Sequence, residues 1–246
     1  MTFEKKIQAI FQHLMAWIKP ANQEISINTA AAMHRDLPDP IPFNAQYKPP
    51  DTEKDIASTR FLAVDLELSS LQPETGEIIS IGWVPIDDLQ INVGQAKHLL
   101  LKNRHGVGQS ATIHGIHDRQ LTNGLELQAA LTELYQALDG RVLIAHHAPL
   151  DMTFIEYFSQ LSYHNAPEII ALDTLITEKN RLLNTGHVIP ANSLRLKACM
   201  ERYHIPLGKQ HNALSDAFSC AQLFLAQIEH RQCQQQTVAE FLRYYY

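Results

Sequence analysis

The amino-acid sequence predicts an α/β domain in which a central mixed β-sheet is flanked by helices. Two apolar runs, at 60–68 and 77–86, have the length and composition of buried strands. Further along the chain, short apolar runs alternate with longer segments that have helical spacing. This alternation favours an α/β architecture, and a 45% hydrophobic content in 246 residues is enough for a sizeable core.

The first 58 residues differ in sequence pattern from the rest of the chain. Apolar positions between residues 3 and 18 follow helical spacing and predict an amphipathic helix. The proline-rich connection LPDPIPFNAQYKPPD follows and is expected to be extended. We expect this helical extension to pack on the main domain. Docking of the helix on a protein partner or a membrane surface is the alternative.

The elements of the main domain follow in order from residue 59. Three strands with short links predict a meander: 60–68, 77–86 and 96–102. The next elements alternate between helix and strand, at 126–138, 141–147, 149–161 and 168–174. Two further helices are predicted at 193–205, with Ser193 as the N-cap, and at 214–230. The remaining tail is polar and then aromatic, with helical character.

Charge and cysteine content restrict the classes of function. A net charge of −6 argues against sequence-independent coating of a duplex, but not against an enzyme that acts on a chain end. The three cysteines, Cys199, Cys220 and Cys233, lack metal-ligand spacing and are typical of reduced thiols. No signal peptide or transmembrane segment is recognisable, so we expect a cytoplasmic protein with no membrane contact.

Two carboxylates stand at the end of the first predicted strand. In FLAVDLELSS, alternation along the strand directs Asp65 and Glu67 to the same face, which makes half of a site for a hard cation. A second D-x-E triplet, Asp51 to Glu53, lies among prolines and charges and is interpreted as solvated linker. Asp65 and Glu67 could also be two charges that simply face water at the end of a strand. This alternative would stand if no other motif in the sequence matched a metal site.

Further acids occur next to predicted helix starts. Asp151 lies in the first turn of a helix after the strand and turn LIAHHAPLD, where a simple capping role is also open. Asp216 interrupts an apolar helical pattern five residues after His211. The four acids can converge on two Mg²⁺ or Mn²⁺ ions, since their ligands are all oxygen. Two such ions would stabilise an in-line phosphoryl displacement, and His211 would act as the general base.

Three motifs in order resemble those of the DEDDh 3′–5′ exonucleases, a family that includes the proofreading ε subunit of bacterial DNA polymerase III, RNase T and oligoribonuclease. They are AVDLELSSL, IAHHAPLDMTFI and HNALSDA, with ATIHGIHDRQL and ALDT as weaker landmarks. The resemblance implies an RNase H-like exonuclease fold. It divides the chain into a helix and proline-rich connection (1–58), an exonuclease domain (59–228) and a C-terminal tail (229–246).

The resemblance also implies a role for each matching residue. Metal would be held by four acids: Asp65, Glu67, Asp151 and Asp216. His211 would be the base, and Glu67 with the backbone near Leu68 would meet the terminal nucleotide. This sequence departs from the family in having Leu68 after the glutamate, where threonine is common, and His147 in place of asparagine. Both departures concern substrate contacts and bear on nucleotide preference.

The basic residues near the C-terminal helices and the paired histidines each have a structural explanation as well as a functional one. Between 178 and 209, six basic residues stand against two acids. This excess is either a solvated helix face or a rim that tracks phosphates. Pairs of histidines, His146 with His147 and His114 with His117, lack further ligands at zinc spacing.

The sequence therefore predicts a metal-dependent 3′–5′ exonuclease that releases nucleoside monophosphates from single-stranded nucleic acid, with DNA favoured over RNA. RNA trimming, or the cleavage of short oligoribonucleotides, is the alternative within the enzyme class. A non-catalytic nucleic-acid-binding subunit on the same fold is the alternative from another class, and clustered carboxylates that repel phosphate argue against it. A homodimer through sheet edges, or a protein partner bound by the N-terminal helix, stays open.

Overall fold

The computed structural model describes residues 37–103, 116, 118–206, 208 and 211–245. The predicted helix at 3–18 and most of the landmark ATIHGIHDRQL lie outside the described residues. Within the described part of the chain, no helix is long and apolar enough to cross a membrane.

A six-stranded mixed sheet forms the centre of the fold. Its strands are β1 (Phe61–Leu68), β2 (Ile78–Asp87), β3 (Gln90–Ile91), β4 (Lys97–Leu100), β5 (Val142–Ala145) and β6 (Ala171–Asp173). The order is β3-β2-β1-β5-β6, with β4 also paired to β2. Pairs among β1 to β4 are antiparallel, whereas β5 is parallel to both β1 and β6. The predicted meander of β1, β2 and β4 is confirmed, and the two-residue β3 is an addition to it.

Seven α-helices surround the sheet in the described part of the chain. They are α1 (Asp118–Leu121), α2 (Leu127–Ala137), α3 (Ala148–Ser162), α4 (Thr174–Asn184), α5 (Leu196–Arg202), α6 (Ala213–Arg231) and α7 (Val238–Tyr245). The prediction of Ser193 as an N-cap is wrong. Its hydroxyl donates to the carbonyl of Pro190 at 2.7 Å, and α5 begins three residues later with Arg195 at the capping position.

Alternate residues of β1 face two separate cores. Leu62 and Val64 pack with α2 and α3 on one face of the sheet, and Phe61 and Ala63 pack with α6 and α7 on the other. Because the side-chain period of a strand is two, Asp65 and Glu67 share the face that α6 covers. The predicted common face of these two carboxylates therefore lies under a helix.

A glycine on β2 lets α6 approach the sheet closely. Gly82 is paired with Asp65 across the antiparallel ladder. A Cβ placed on Gly82 would overlap the backbone of Ala213 and Leu214, the first residues of α6. The N-terminus of α6 therefore packs directly on the strand next to Asp65, as only glycine permits.

The C-terminal segment is tied to the residues that precede β1. The amide of Ile56 donates to the carbonyl of Gln236 at 2.9 Å, and the amide of Val238 donates to the carbonyl of Lys54 at 3.1 Å. Val238 and Phe241 of α7 are buried in the core beneath α6. The tail thus contributes packed structure to the same layer that covers Asp65 and Glu67.

Candidate metal and active site

Three carboxylates meet at the end of β1. Asp65 and Glu67 come from β1 and Asp216 from the first turn of α6. One ligand atom of each residue lies within 4.8 Å of the others, which is close enough for a single cation to bind all three. The side chain of Asp216 also accepts from the amide of His211 at 2.9 Å, which fixes its orientation.

Asp151 lies beside this cluster rather than within the set of three. It occupies the first turn of α3 and is 6% exposed. Its Oδ1 accepts from the amide of Leu66, the residue between Asp65 and Glu67, at 3.2 Å. This hydrogen bond holds the carboxylate of Asp151 against the backbone of β1, so all four predicted acids converge on one end of the strand.

The four acids are held close together in a site of restricted solvation. Burial, followed by the charges of Asp151, Asp216 and Glu67, raises the pKa of Asp65 well above its usual range. Burial, followed by the charge of Asp216, raises the pKa of Glu67 to about 7. Burial, followed by the charges of Asp173 and Glu67, raises the pKa of Asp151 to about 8. Ion pairs elsewhere among the described residues do not include these acids. Because nearby negative charges disfavour ionisation, the cluster suits a bound cation.

The donor set fits a hard divalent metal. All the candidate ligands are carboxylate oxygens, which suit Mg²⁺ and Mn²⁺ better than zinc. His146 is excluded as a ligand by its contacts: Nε2 donates to the carbonyl of Leu194 at 2.8 Å, and Nδ1 lies 2.8 Å from Oγ1 of Thr174. Burial lowers the pKa of His146 to about 4, so the ring is a neutral core histidine.

The predicted base stands at the entry to α6. His211 has a left-handed backbone with φ 58°, and its side chain is exposed. Asn212, which follows it, caps the helix by accepting from the amide of Ser215 at 3.2 Å. The amide of His211 is bound to Asp216, so the imidazole belongs to a backbone that is attached to the cluster.

The two residues that depart from the family pattern flank the same end of the sheet. Leu68 ends β1 at a register shift and is half-buried. His147 precedes α3 in a left-handed conformation with φ 76°, and its amide donates to Oδ1 of Asp173 at 3.0 Å. Both are therefore adjacent in sequence and space to strands or helices that carry the acids.

Sequence reasoning assigned no role to two polar residues near the cluster. Ser80 is 0% exposed and lies directly across from Glu67 on β2, and its hydroxyl has no partner among the described residues. Asp173 is 2% exposed and ends β6 beside β5. The available signal for Asp173 was its position between an apolar strand and a helix, where an acid is a common N-cap.

The basic stretch at 178–209 divides into buried and exposed parts. Glu178 is fully buried and accepts from Arg181 at 2.7 Å, from Arg202 at 2.8 Å and from the hydroxyl of Tyr203 at 2.9 Å. Arg202 and Tyr203 therefore connect the end of α5 to Glu178 of α4, whereas the Arg181 ion pair lies within α4. Arg195 and Lys197 are exposed, and residue 209 lies outside the described residues.

Comparison with known proteins places these features in context. A family model described as exonuclease matches residues 62–224. The PolC-type DNA polymerase III of Thermotoga petrophila is 28% identical over 191 residues, which cover 78% of this chain and 13% of the relative. The 3′-5′ exonuclease DinG of Bacillus subtilis is 27% identical over 171 residues, 69% of this chain and 18% of the relative. The chain thus spans less than a fifth of either relative.

Solved structures share the fold. Cell-death related nuclease 4 superposes with a TM-score of 0.62 at 16% identity, over 72% of this chain and 66% of that one. The nuclease domain of 3′hExo, a DEDDh family member bound to rAMP, gives a TM-score of 0.59 at 15% identity, over 74% and 98%. The predicted fold, a mixed sheet flanked by helices in the RNase H-like exonuclease class, is confirmed.

Proposed function

Since this chain belongs to the exonuclease family, we propose that it is a metal-dependent 3′–5′ exonuclease that hydrolyses phosphodiester bonds at the 3′ end of single-stranded nucleic acid. DNA is the favoured substrate, and nucleoside 5′-monophosphates are the products. The observation that carries the proposal is the approach of Asp65, Glu67 and Asp216 to within 4.8 Å of one another at one end of the sheet.

The carboxylates have the chemistry to hold metal. Asp65, Glu67 and Asp216 would bind Mg²⁺ or Mn²⁺, and Asp151 would complete the site from the other side of the β1 backbone. A pair of divalent ions, when bound, neutralises charge on the attacking and leaving oxygens of an in-line displacement. Without metal, burial and the charges of Asp173 and Glu67 raise the pKa of Asp151, which favours its protonated form. Metal must displace such protons, so its affinity should rise with pH.

The side chains around the cluster supply proton transfer and orientation. His211 would accept the proton from the attacking water, because its imidazole is exposed and its backbone is bound to Asp216. Glu67 and the backbone at Leu68 would orient the terminal nucleotide. Exposed Arg195 and Lys197 would attract the phosphates of the incoming strand.

The alternatives differ in what they require of the acids. An RNA-trimming enzyme would use the same site, and the rAMP bound to 3′hExo keeps this alternative open. A non-catalytic binding subunit would have no use for a cluster of four acids at its binding site, since ionised carboxylates without metal repel phosphate. The cluster therefore favours catalysis and leaves the choice between DNA and RNA to experiment.

The test uses 5′-labelled single-stranded DNA and RNA of equal sequence, with Mg²⁺, Mn²⁺ or EDTA. Asp65→Asn should abolish turnover, because it removes the negative charge of a metal ligand without changing the size of the side chain. The second D-x-E triplet offers a matched control: Asp51 is exposed, so Asp51→Asn should keep full activity. A metal-dependent ladder that shortens from the 3′ end is expected, and equal activity of the two variants would overturn the proposed site.

A further inference from the structure

We propose that Asp173 is a positioning residue for the carboxylate cluster, because its side chain fixes the turn from which α3 carries Asp151 to the site. Asp173 and the next residue, Thr174, together form what we call the α4 clamp. The inference rests on the proposed function only in that the cluster is taken to hold metal. Its structural part concerns only the turn at His146 and His147.

The carboxylate of Asp173 does more than cap a helix. Its Oδ1 accepts from the amides of Leu175 at 2.8 Å and Ile176 at 3.4 Å, which satisfies the N-terminus of α4. The same oxygen accepts from the amide of His147 at 3.0 Å, across the gap between β6 and β5. The first two hydrogen bonds cap α4. The third, to the amide of His147, does not contribute to α4 and needs another explanation.

The turn that receives this third hydrogen bond needs support. His147 has φ 76° and ψ 48°, and its own side chain makes no capping hydrogen bond to α3. A left-handed conformation is sterically unfavourable in a non-glycine residue. The preceding residue is also held, since Nδ1 of His146 lies 2.8 Å from Oγ1 of Thr174. Consecutive residues of the α4 clamp thus bind consecutive residues of the turn.

A displacement of the turn would be transmitted to the carboxylate cluster through two hydrogen bonds. The carbonyl of His147 accepts from the amide of Leu150 at 3.0 Å, which starts the first turn of α3. The next residue is Asp151, whose Oδ1 accepts from the amide of Leu66 between the two acids of β1. The α4 clamp therefore sets the distance between Asp151 and β1 without touching the metal ligands.

Electrostatics alone would disfavour an acid at this position. The charge of Asp173 raises the pKa of Asp151, and Oδ2 of Asp173 has no partner among the described residues. A serine would cap α4 equally well without adding a negative charge. Its shorter side chain would not reach the amide of His147. The aspartate side chain is long enough to accept from the amide of His147. This hydrogen bond explains why an acid occurs here beside four other carboxylates.

The test separates capping from clamping with two variants of the full chain. Asp173→Ser keeps a cap for α4 and loses the hydrogen bond to His147, whereas Asp173→Asn keeps an acceptor for all three amides. Mn²⁺ binding is measured by electron paramagnetic resonance without nucleic acid. Hydrogen exchange of the His147 amide is measured without metal. Turnover on single-stranded DNA is followed separately.

We expect Asp173→Ser to weaken Mn²⁺ binding by about 10–100-fold, as loss of an orienting partner does at other metal sites. Exchange of the His147 amide should accelerate at least tenfold. Asp173→Asn should stay within a few-fold of the wild type in both measurements. Asp139→Ser is the matched control, because Asp139 also accepts from a backbone amide, that of Lys48 at 2.8 Å, at the opposite end of the sheet. This control should leave Mn²⁺ affinity unchanged.

Unchanged Mn²⁺ affinity in Asp173→Ser would overturn the proposal, as would equal loss in the serine and asparagine variants. If Asp173→Ser fails to fold, wild-type affinity and His147 protection in Asp173→Asn support the clamp, and their loss overturns it. Failure of the proposed function has a different signature. The wild type would then bind Mn²⁺ and degrade no nucleic acid, while the difference between the two Asp173 variants would persist.

Discussion

Substitution of Gly82 should damage the metal site through a helix that the substituted residue does not belong to. A Cβ at this position would lie well inside 3.0 Å of backbone atoms of Ala213 and Leu214, whereas ordinary contact begins at 3.4 Å. Because backbone atoms cannot rotate away, α6 must retreat from β2 by about 1 Å. Asp216, in the same turn of α6, would retreat from Asp65 with it.

The expected magnitude follows from this displacement. Overpacking should cost Gly82→Ala about 1–3 kcal/mol of the free energy of unfolding. A misplacement of about 1 Å at a reacting centre can lower the rate about 100-fold. Mg²⁺ demands near-ideal geometry, so the Mg²⁺ concentration for half-maximal rate should also rise.

The assay compares turnover, Mg²⁺ dependence and thermal unfolding of Gly82→Ala with those of Gly94→Ala. The control suits this comparison because the nearest atom to a Cβ at residue 94 is Oδ1 of Asn92 at 3.6 Å. Wild-type turnover and Mg²⁺ dependence in Gly82→Ala would refute the reasoning, because the close approach of α6 would then not set the position of Asp216.

Three further predictions concern protons and packing. His211→Ala should lower kcat about 100-fold or more and leave Mn²⁺ affinity unchanged, since a general base contributes about that much. Raised pKa values at Glu67 (about 7) and Asp151 (about 8) mean that these two groups bind more protons in the folded protein than in the unfolded chain above pH 4. Without metal, their contribution to stability should therefore fall as the pH rises from 4 to 8, and Mg²⁺ should raise the Tm more at pH 8 than at pH 6. Phe241→Ala should cost about 3–5 kcal/mol of unfolding free energy, with turnover at low temperature preserved.

Each of these has an outcome that contradicts it. Full turnover in His211→Ala would remove it as the base. A Tm that rises with pH in EDTA would mean that the acids are not held in their protonated forms by the fold. Wild-type stability in Phe241→Ala, measured by urea unfolding, would show that α7 does not contribute to the core.

The acids of the cluster could be predicted because their sequence context is unusual. The runs before Asp65 and around Asp216 are apolar, and charge is expensive there unless it has a purpose. The exposed triplet at Asp51 shows the opposite context. The roles of the predicted site residues stay predictions until the variants are measured, as do the boundaries at residues 58 and 228.

Features that depend on contacts between distant segments could not be predicted from one sequence. The glycine in ISIGWV looks like an ordinary strand glycine until α6 is seen to pack on it. Asp173 looks like a cap until the turn at His147 is seen beside it. The helix α4 was not predicted from the sequence, because Thr174, Ile176 and Thr177 are β-branched residues with low helix propensity.

The distance in sequence between the parts of the cluster has a consequence for biosynthesis. Asp65 and Glu67 emerge from the ribosome with the first strand, and Asp216 emerges only after all the described strands of the sheet. Until α6 and α7 have been translated, the face of β1 that bears the two acids lacks its covering layer. A nascent or prematurely terminated chain that ends before α6 therefore has no assembled site. The proposed activity therefore requires translation at least through α6.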